Sequence, residues 1–429
     1  KEVIKNHTNS SNTERNSIVF MFSGLGSEYQ RMGYGLYENN CFFKNKIDLC
    51  IQKIKEITDV DIEPYFVPDS DKSLKYDINK IRVNQFLVLA IEYSLACYLQ
   101  YIGIMPTAVI GYSFGEYVAA CISDVFKFED LVKILNKRGE LIEGLPEGRM
   151  LSVPLTKNQL LSYLHSELSI AIDNGESCIV SGSIEVISSF HDKMKNRKLI
   201  CFELSSKRAF HSKMMEPIDE ELKKYLDTIK INAPKIPYIS NVTGNWVDNS
   251  EIVKSEYWIN HLKGTVQFSN GIDKVLKDLN TVILEIGVGT DISSMVKRKV
   301  DGKTNSIQLI NFIRSEKLSI PDEKYFLNKL GQLWLSGVNI DWEQYYKNEN
   351  HYLLPLPTYP YEYKDHWIDG DPYSIISRSS SSNFHCRSNE NINIYVPSWK
   401  KVTLCNYLPQ FYDDLCVLIF LDKFNLGKE

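Results

Sequence analysis

The stretch AVIGYSFGEYVAACI, residues 108–122, decides how the rest of the chain is interpreted. Its first four residues are apolar and predict a short buried strand, while Val118 and Ala119 predict the inward face of a helix over about residues 114–122. Between the two lies GYSFG, a GxSxG pattern that puts Ser113 on a tight turn at the positive end of the helix. GxSxG alone arises by chance. Its position between a strand and a helix favours a nucleophilic serine over an ordinary turn.

A nucleophilic serine needs a base that takes its proton. The chain has eight histidines, of which His211 and His261 lie in apolar surroundings, AFHS and WINHL. Spacing alone does not choose between them. No third acid stands out, but a backbone carbonyl can orient a histidine without one. The backbone N–H of Phe114, directly after the serine, is available to stabilise an oxyanion.

The composition is that of an ordinary globular protein. The 429 residues are 43% hydrophobic and 24% charged, and the length predicts two or three compact units. The formal net charge of −5 gives no electrostatic reason to expect nucleic acid or an anionic membrane as a partner. No apolar run reaches the roughly 18 residues that span a bilayer. Nine cysteines without a CxxC pair or a Cys/His cluster predict reduced thiols in a cytoplasmic protein, with no structural zinc.

Strands and helices alternate along most of the chain, which predicts an α/β fold. Apolar runs predict strands over residues 17–22, 108–111 and 281–286, and helical spacing predicts a core helix over residues 83–99. From about residue 147 to residue 208 the pattern changes to short alternating strands that flank helical stretches. This change suits a small inserted α+β unit.

Several motifs, in order along about residues 19–367, resemble those of the malonyl-CoA:acyl-carrier-protein transacylase family. The closest resemblance is to the acyltransferase domains of modular type I polyketide synthases. Their shared order along the chain is more specific than any one of them. The motifs are GLGSE (24–28), GYSFGE (111–116), Arg138-Gly139, AIDNGESCIVSGS (171–183), RAFHS (208–212), SNVTG (240–244), YWINHLKGTVQF (257–268) and LPLPTYPYEYKDHW (354–367).

The resemblance implies an α/β-hydrolase-like large subdomain with an inserted ferredoxin-like small subdomain. The active site is then expected in the cleft between them. The implied boundaries are a linker (1–16), the first part of the large subdomain (17–146), the small subdomain (147–208), the second part of the large subdomain (209–310), a post-acyltransferase linker (311–376), a flexible Ser-rich linker (377–390) and the truncated start of a following domain that resembles the structural part of a ketoreductase (391–429).

The resemblance also assigns roles to individual residues. Ser113 is implied as the acyl-carrying nucleophile and His211 as its base, with the backbone N–H groups of Leu25 and Phe114 as the oxyanion hole. A backbone carbonyl of residues 266–268, with Gln267 as the first candidate, would orient the histidine. Arg138 is implied to bind the free carboxylate of the malonyl group. The other implied substrate-binding residues are Phe210, Tyr112, Arg208 and Asn174.

The activity implied is a transfer in two steps. Ser113 takes a malonyl-type extender unit from malonyl-CoA and passes it to the phosphopantetheine thiol of an acyl carrier protein. Phe210 would fill the space that an α-methyl group needs, which favours malonyl over methylmalonyl units. Neither metal nor cofactor is required. The implied partners are the carrier protein and the ketosynthase and ketoreductase domains of the same polypeptide, with no nucleic acid and no membrane.

Five positions depart from the usual motifs. Leu25 and Glu28 replace glutamines, Tyr112 and Arg208 replace histidines, and Val288 replaces a proline. In the family, the positions of Tyr112 and Arg208 lie close to the pocket and influence what it accepts. The added charge of Arg208 suggests an acidic or more polar extender unit.

Two other functions stay open at this point. An esterase or thioesterase of the α/β-hydrolase type would use the same serine turn with water as the second acceptor, but it gives Arg138 no purpose. A non-catalytic scaffold domain would only dock its neighbours.

Overall fold

The computed structural model describes residues 17–66, 80–278, 281–300, 307–347, 349 and 356–360. The chain divides into two units, Lys1–Tyr352 and Leu353–Glu429, and every element below belongs to the first. The predicted linkers at 1–16 and 377–390 and the predicted following domain at 391–429 lie outside the described residues. The domain boundaries stay predictions.

The strands of the described residues are β1 (Ser17–Phe22), β2 (Ala108–Gly111), β3 (Arg149–Val153), β4 (Ser169–Asp173), β5 (Cys178–Gly182), β6 (Phe202–Glu203), β7 (Tyr238–Ile239), β8 (Thr281–Val288) and β9 (Gln308–Ile313). The α-helices are α1 (Tyr34–Asn39), α2 (Cys41–Ile57), α3 (Ile81–Tyr101), α4 (Gly115–Ile122), α5 (Phe128–Glu143), α6 (Lys157–Leu160), α7 (Ile184–Asn196), α8 (Asp219–Leu226), α9 (Asn249–Ile252), α10 (Ser255–Lys263), α11 (Phe268–Asp278), α12 (Asp291–Val300), α13 (Asp322–Leu335) and α14 (Trp342–Tyr345).

A five-stranded parallel sheet in the order β7-β2-β1-β8-β9 forms the centre of the large body. Residues 19–22 of β1 and all of β2 and β8 are buried, because helices cover both faces of a parallel sheet. This explains why these strands appear in the sequence as continuous apolar runs. The loops that follow β1, β2, β7 and β8 leave the same edge of the sheet, which is where α/β folds place their ligands.

A second sheet, of four antiparallel strands, lies in the middle of the sequence. Its order is β4-β5-β3-β6, with α6 between β3 and β4 and α7 between β5 and β6. This βαββαβ arrangement is that of a ferredoxin-like unit. It is joined to the large body at β4, where the Asp173 N–H donates to the Val266 carbonyl and the Val266 N–H donates to the Ala171 carbonyl, both at 2.9 Å. The predicted α/β fold with a small inserted subdomain is confirmed.

The turn from β2 into α4 leaves no room for a side chain at Gly111. A Cβ there would lie 2.2 Å from the backbone nitrogen of Glu116. We expect Gly111→Ala to lower the free energy of unfolding by about 3 kcal/mol, because the strand and helix would have to separate. Gly331→Ala on α13 is the matched control, since a Cβ there meets no atom within 4 Å; it should be neutral or stabilise by roughly 0.5–1 kcal/mol. Equal thermal unfolding midpoints for the two variants would contradict this prediction.

Candidate active site

The turn after β2 holds Ser113 in a strained backbone conformation. Its φ of 53° lies in the left-handed region, which is unfavourable for a residue other than glycine. Three hydrogen bonds hold it there: its N–H donates to Asn241 Oδ1 at 2.9 Å, and its carbonyl accepts from the Glu116 N–H at 3.0 Å and from His261 Nε2 at 3.1 Å. The strain is therefore balanced by contacts from α4, from α10 and from the residues after β7.

His211 lies beside the serine hydroxyl. Its Nε2 is 2.6 Å from Ser113 Oγ, although 98 positions separate the two residues. His211 is also held at a positive φ, 57°, and its N–H donates to the Leu262 carbonyl at 3.3 Å. Of the two histidines that the sequence favoured, His211 thus contacts the hydroxyl, whereas His261 contacts the Ser113 carbonyl.

The environment of His211 keeps its ring neutral. Burial, and to a smaller extent the positive charge of Arg138, lower its pKa to about 4, while backbone groups of Gly264 and His261 act in the opposite direction. The carbonyl of Gln267, predicted to orient the ring, accepts instead from the Gly271 N–H. The physical reason is that Gln267 directly precedes α11, so its carbonyl belongs to the first turn of that helix.

The low pKa of His211 predicts the acid side of the pH–rate profile. A base works only when unprotonated, so kcat/KM for acylation should fall as the pH decreases through about 4, not through about 6.5. The measurement is Ser113 acylation by the acetyl thioester of N-acetylcysteamine, which has no titratable group in this range. Arg138→Gln removes a charge that disfavours the imidazolium, so its midpoint should lie higher. A wild-type midpoint near 6.5 would contradict the prediction.

Arg138 extends from α5 into the same region and is only 3% exposed. One terminal nitrogen donates to Gln85 Oε1, and its Nε has no hydrogen-bond partner among the described residues. The guanidinium carbon lies 5.5 Å from the ring centres of both Tyr117 and Phe210. Burial lowers its pKa from the ordinary value, and no carboxylate of the described residues pairs with it. A buried charge without a counter-ion is costly, and an anion bound beside Arg138 would reduce that cost.

Two further predicted substrate residues, Tyr112 directly after β2 and Asn174 directly after β4, contact each other, and of the two Tyr112 is the one that lines the cavity. Asn174 Nδ2 is 3.4 Å from the Tyr112 hydroxyl, and the Tyr112 ring packs edge-on against Phe268 with 4.9 Å between the ring centres. Burial raises the pKa of Tyr112, so its hydroxyl stays protonated. The Asn174 Oδ1 is buried without a partner among the described residues.

Arg208, predicted to bind substrate, lines the same cavity as Ser113, and its guanidinium is also hydrogen-bonded to the end of a helix. Its Nε and one terminal nitrogen donate, both at 3.0 Å, to the carbonyls of Ile142 and Glu143, the last two residues of α5. A positive charge at this end of a helix is favourable because the carbonyls there carry partial negative charge. Arg208 thus stabilises the end of the helix that carries Arg138.

A cavity of about 820 Å³ joins these groups at the carboxyl edge of the parallel sheet. Ser113, His211, Arg138 and Phe210 line it, and so do Leu25 and Phe114. The N–H groups of the last two donate to no protein acceptor among the described residues. They are therefore available to a bound group.

Sequence reasoning missed a buried polar cluster beneath the turn. Glu116, fully buried, accepts from the Tyr238 hydroxyl and the Asn241 N–H, both at 2.8 Å, and from the Tyr257 hydroxyl. Burial raises the pKa of Glu116 to about 7, against these hydrogen bonds. Glu116 and Asn241 both lie in motifs that were visible in the sequence, GYSFGE and SNVTG, but the motifs alone indicated no contact between them.

Two other expectations concern metals and membranes. Within the described ranges, no three His, Cys, Asp or Glu side chains are grouped so that they could hold a metal ion. Every helix of that part of the chain is too short or too polar to cross a lipid bilayer. The absence of metal and cofactor from the reaction stays a prediction.

A family model described as the acyl transferase domain matches residues 19–339, a range that contains Ser113, Arg138 and His211. Among curated proteins, the chain is 27% identical over 353 residues to a phenolphthiocerol/phthiocerol polyketide synthase of Mycobacterium tuberculosis, covering 82% of this chain and 23% of that protein. It is 29% identical to the conidial yellow pigment biosynthesis polyketide synthase of Emericella nidulans, covering 85% and 17%. The chain thus spans less than a quarter of the length of these relatives.

Solved structures include similar domains. The acyl transferase domain of ZmaA is 36% identical, with a TM-score of 0.75 and 80% of each chain covered. The acyltransferase domain from the second module of the salinomycin polyketide synthase is 26% identical, with a TM-score of 0.71 and again 80% of each chain covered.

Proposed function

The chain belongs to the acyl transferase domain family, and on this premise we propose that it loads a malonyl-type extender unit from CoA onto Ser113 and transfers it to the phosphopantetheine thiol of an acyl carrier protein in polyketide biosynthesis. The enzyme class, acyltransferase, follows from the family. The donor, the acceptor and the pathway are the proposal.

In the first half-reaction Ser113 Oγ attacks the thioester carbon of the CoA donor. His211 Nε2, 2.6 Å away, takes the hydroxyl proton, which requires that the other ring nitrogen carries the imidazole hydrogen. The N–H groups of Leu25 and Phe114 stabilise the oxyanion of the tetrahedral intermediate. The C–S bond then breaks, and the CoA sulfur leaves as a thiol with the proton from His211.

The second half-reaction repeats these steps with another thiol. The phosphopantetheine thiol gives its proton to His211 and attacks the acyl-serine carbonyl, and Ser113 leaves with that proton. Because both halves pass through one serine ester, the kinetics are ping-pong.

The observation that carries the proposal is the buried Arg138 without a counter-ion among the described residues, in the cavity that also contains Ser113 and His211. The free carboxylate of a malonyl group supplies the missing charge, and a guanidinium binds a carboxylate with two parallel hydrogen bonds. Phe210 packs against Arg138 and narrows the space beside it, which favours an extender unit without an α-substituent.

The partners and the location are proposals of the same kind. We place ketosynthase and ketoreductase domains in the same polypeptide, because the matched polyketide synthases are more than four times as long as their matching segments. The cytoplasmic location is supported by the six described cysteines, all of which are free thiols.

The test is intact-protein mass spectrometry after mixing with equimolar malonyl-, methylmalonyl-, ethylmalonyl- and acetyl-CoA, followed by addition of a phosphopantetheinylated carrier protein. A malonyl adduct that moves to the carrier supports the proposal. Loss of the adduct to water at the same rate with and without carrier would indicate an esterase or thioesterase. No adduct from any donor would favour the scaffold.

A further inference from the structure

The turn between β1 and α1, residues 23–26, carries the Leu25 N–H to the nucleophile. It lies in backbone contact with the serine turn: a Cβ on Gly24 would be 2.9 Å from the Tyr112 carbonyl oxygen, and one on Gly115 would be 2.3 Å from the Phe22 carbonyl oxygen. Small displacements of this turn therefore move the Leu25 N–H relative to Ser113.

Glu92, in the middle of α3, is hydrogen-bonded to Ser23 at the start of the turn. Its Oε1 accepts two hydrogen bonds from Ser23, one from the backbone N–H at 2.9 Å and one from the hydroxyl at 2.7 Å. Glu92 is 0% exposed, and its Oε2 has no partner among the described residues. A carboxyl group inside an apolar helix interface costs free energy, so its presence requires a specific contact to offset that cost. Burial raises its pKa well above the ordinary value, and the charges of Glu28 and Glu285 act in the same direction.

The end of β8 packs directly against the hydrogen-bonded pair of Ser23 and Glu92. A Cβ on Gly287 would lie 1.5 Å from Ser23 Oγ and 2.6 Å from Glu92 Oε1, so only glycine leaves room for the pair. At the far end of the turn, the Gly26 N–H lies 2.8 Å from both carboxylate oxygens of Glu28. Gly24 and Leu25 lie between these two anchored positions and both line the cavity. Leu25 carries the N–H that the proposed function assigns to the oxyanion hole.

We propose that Glu92 is a positioning residue for acyl transfer, which acts through Ser23 to hold the Leu25 N–H where the oxyanion forms. The inference rests on the proposed function, since the oxyanion arises only if Ser113 is acylated. Removal of one oxyanion donor lowers kcat by about 10²–10³-fold. Displacement of the turn should approach that loss without weakening the binding of the thioester.

The experiment compares kcat and KM for malonyl loading in the wild type, Glu92→Leu, Glu92→Gln and Ser94→Ala. Glutamine has the shape of the neutral acid, and its oxygen can accept both bonds from Ser23. Ser94 is a matched control, because it is a buried polar residue of the same helix whose hydroxyl contacts Cys50 Sγ, away from the turn. Circular dichroism establishes that each variant is folded.

We expect Glu92→Leu to lower kcat about 100-fold with little change in KM, Glu92→Gln to stay within a few-fold of the wild type, and Ser94→Ala to leave kcat unchanged. A folded Glu92→Leu with the wild-type kcat, or a glutamine variant as slow as the leucine variant, would overturn the proposal. If Glu92→Leu does not fold, Ser23→Ala decides: the loss of its hydroxyl should lower kcat about 10-fold, and a wild-type kcat would overturn the proposal. A wild type that forms no acyl adduct rejects the proposed function itself and this inference with it.

Discussion

Ser113→Ala should abolish the acyl adduct and lower the rate of malonyl transfer about 10⁴-fold or more. The reason is that Ser113 Oγ is the only hydroxyl placed 2.6 Å from the neutral His211 ring within the described cavity. Alanine leaves the oxyanion donors and Arg138 in place. The variant should therefore still bind malonyl-CoA while forming no covalent bond.

Ser123→Ala is the matched control for that variant. Its hydroxyl is fully buried and donates to the Ala119 carbonyl at 2.8 Å, at the end of the helix that begins beside Ser113. It should lose some stability and keep its transfer rate. Intact mass and peptide mapping after incubation with malonyl-CoA measure both variants, and an adduct that persists in Ser113→Ala would show that another residue is the nucleophile.

Arg138→Gln should lower kcat/KM for malonyl-CoA by about 10²–10⁴-fold and leave kcat/KM for acetyl-CoA unchanged or higher. Breaking a buried ion pair costs about 3–5 kcal/mol, and each 1.36 kcal/mol is a factor of ten in rate. The acetyl group has no carboxylate, so the substitution removes no ion pair from the acetyl-CoA reaction. In the variant, the acetyl group also binds beside a neutral glutamine and not beside an unpaired buried charge. The measurement is the ratio of the two kcat/KM values at about pH 8, well above the ordinary histidine pKa, so that His211 is neutral in both proteins.

Arg149→Gln controls for the loss of a positive charge, because Arg149 already pairs with Glu203 at 2.7 Å on the small sheet. It should change the malonyl-to-acetyl ratio by less than a few-fold, as is usual for an exposed pair. If Arg138→Gln lowered both donors equally, Arg138 would act on the protein structure or on CoA, and not on the malonyl carboxylate.

The two residues expected to react share an unusual backbone. Ser113 and His211 both adopt left-handed φ values, 53° and 57°, and each is held by contacts from other elements. A strained backbone conformation of this kind persists only where several contacts from the surrounding structure hold it. Glu116, Asn241 and His261 supply those contacts to the backbone of Ser113, and the Leu262 carbonyl supplies one to the backbone of His211.

Local patterns in the sequence were sufficient for most of the architecture. The predicted strands at 17–22 and 108–111 coincide with β1 and β2, and the predicted helix at 83–99 lies within α3. The small inserted unit was visible from the change of period alone. The GxSxG turn identified Ser113, because a strand, a turn and a helix that follow one another directly must bring the serine to the sheet edge.

The tertiary structure alone decided which distant groups meet at that edge. Three contacts depend on packing between residues that are 65 to 98 positions apart in the sequence. They are the contact of His211, and not His261, with the serine hydroxyl, the hydrogen bonds of Arg208 to the end of α5, and the hydrogen bonds between Ser23 and Glu92. The carbonyl of Gln267, predicted to orient the histidine, accepts from the Gly271 N–H because a helix begins directly after it. The physical reason is that the spacing of apolar residues indicates which face of a helix or strand is buried. A hydrogen bond, in contrast, needs two particular atoms within about 3 Å of each other. That distance is set by how whole elements pack.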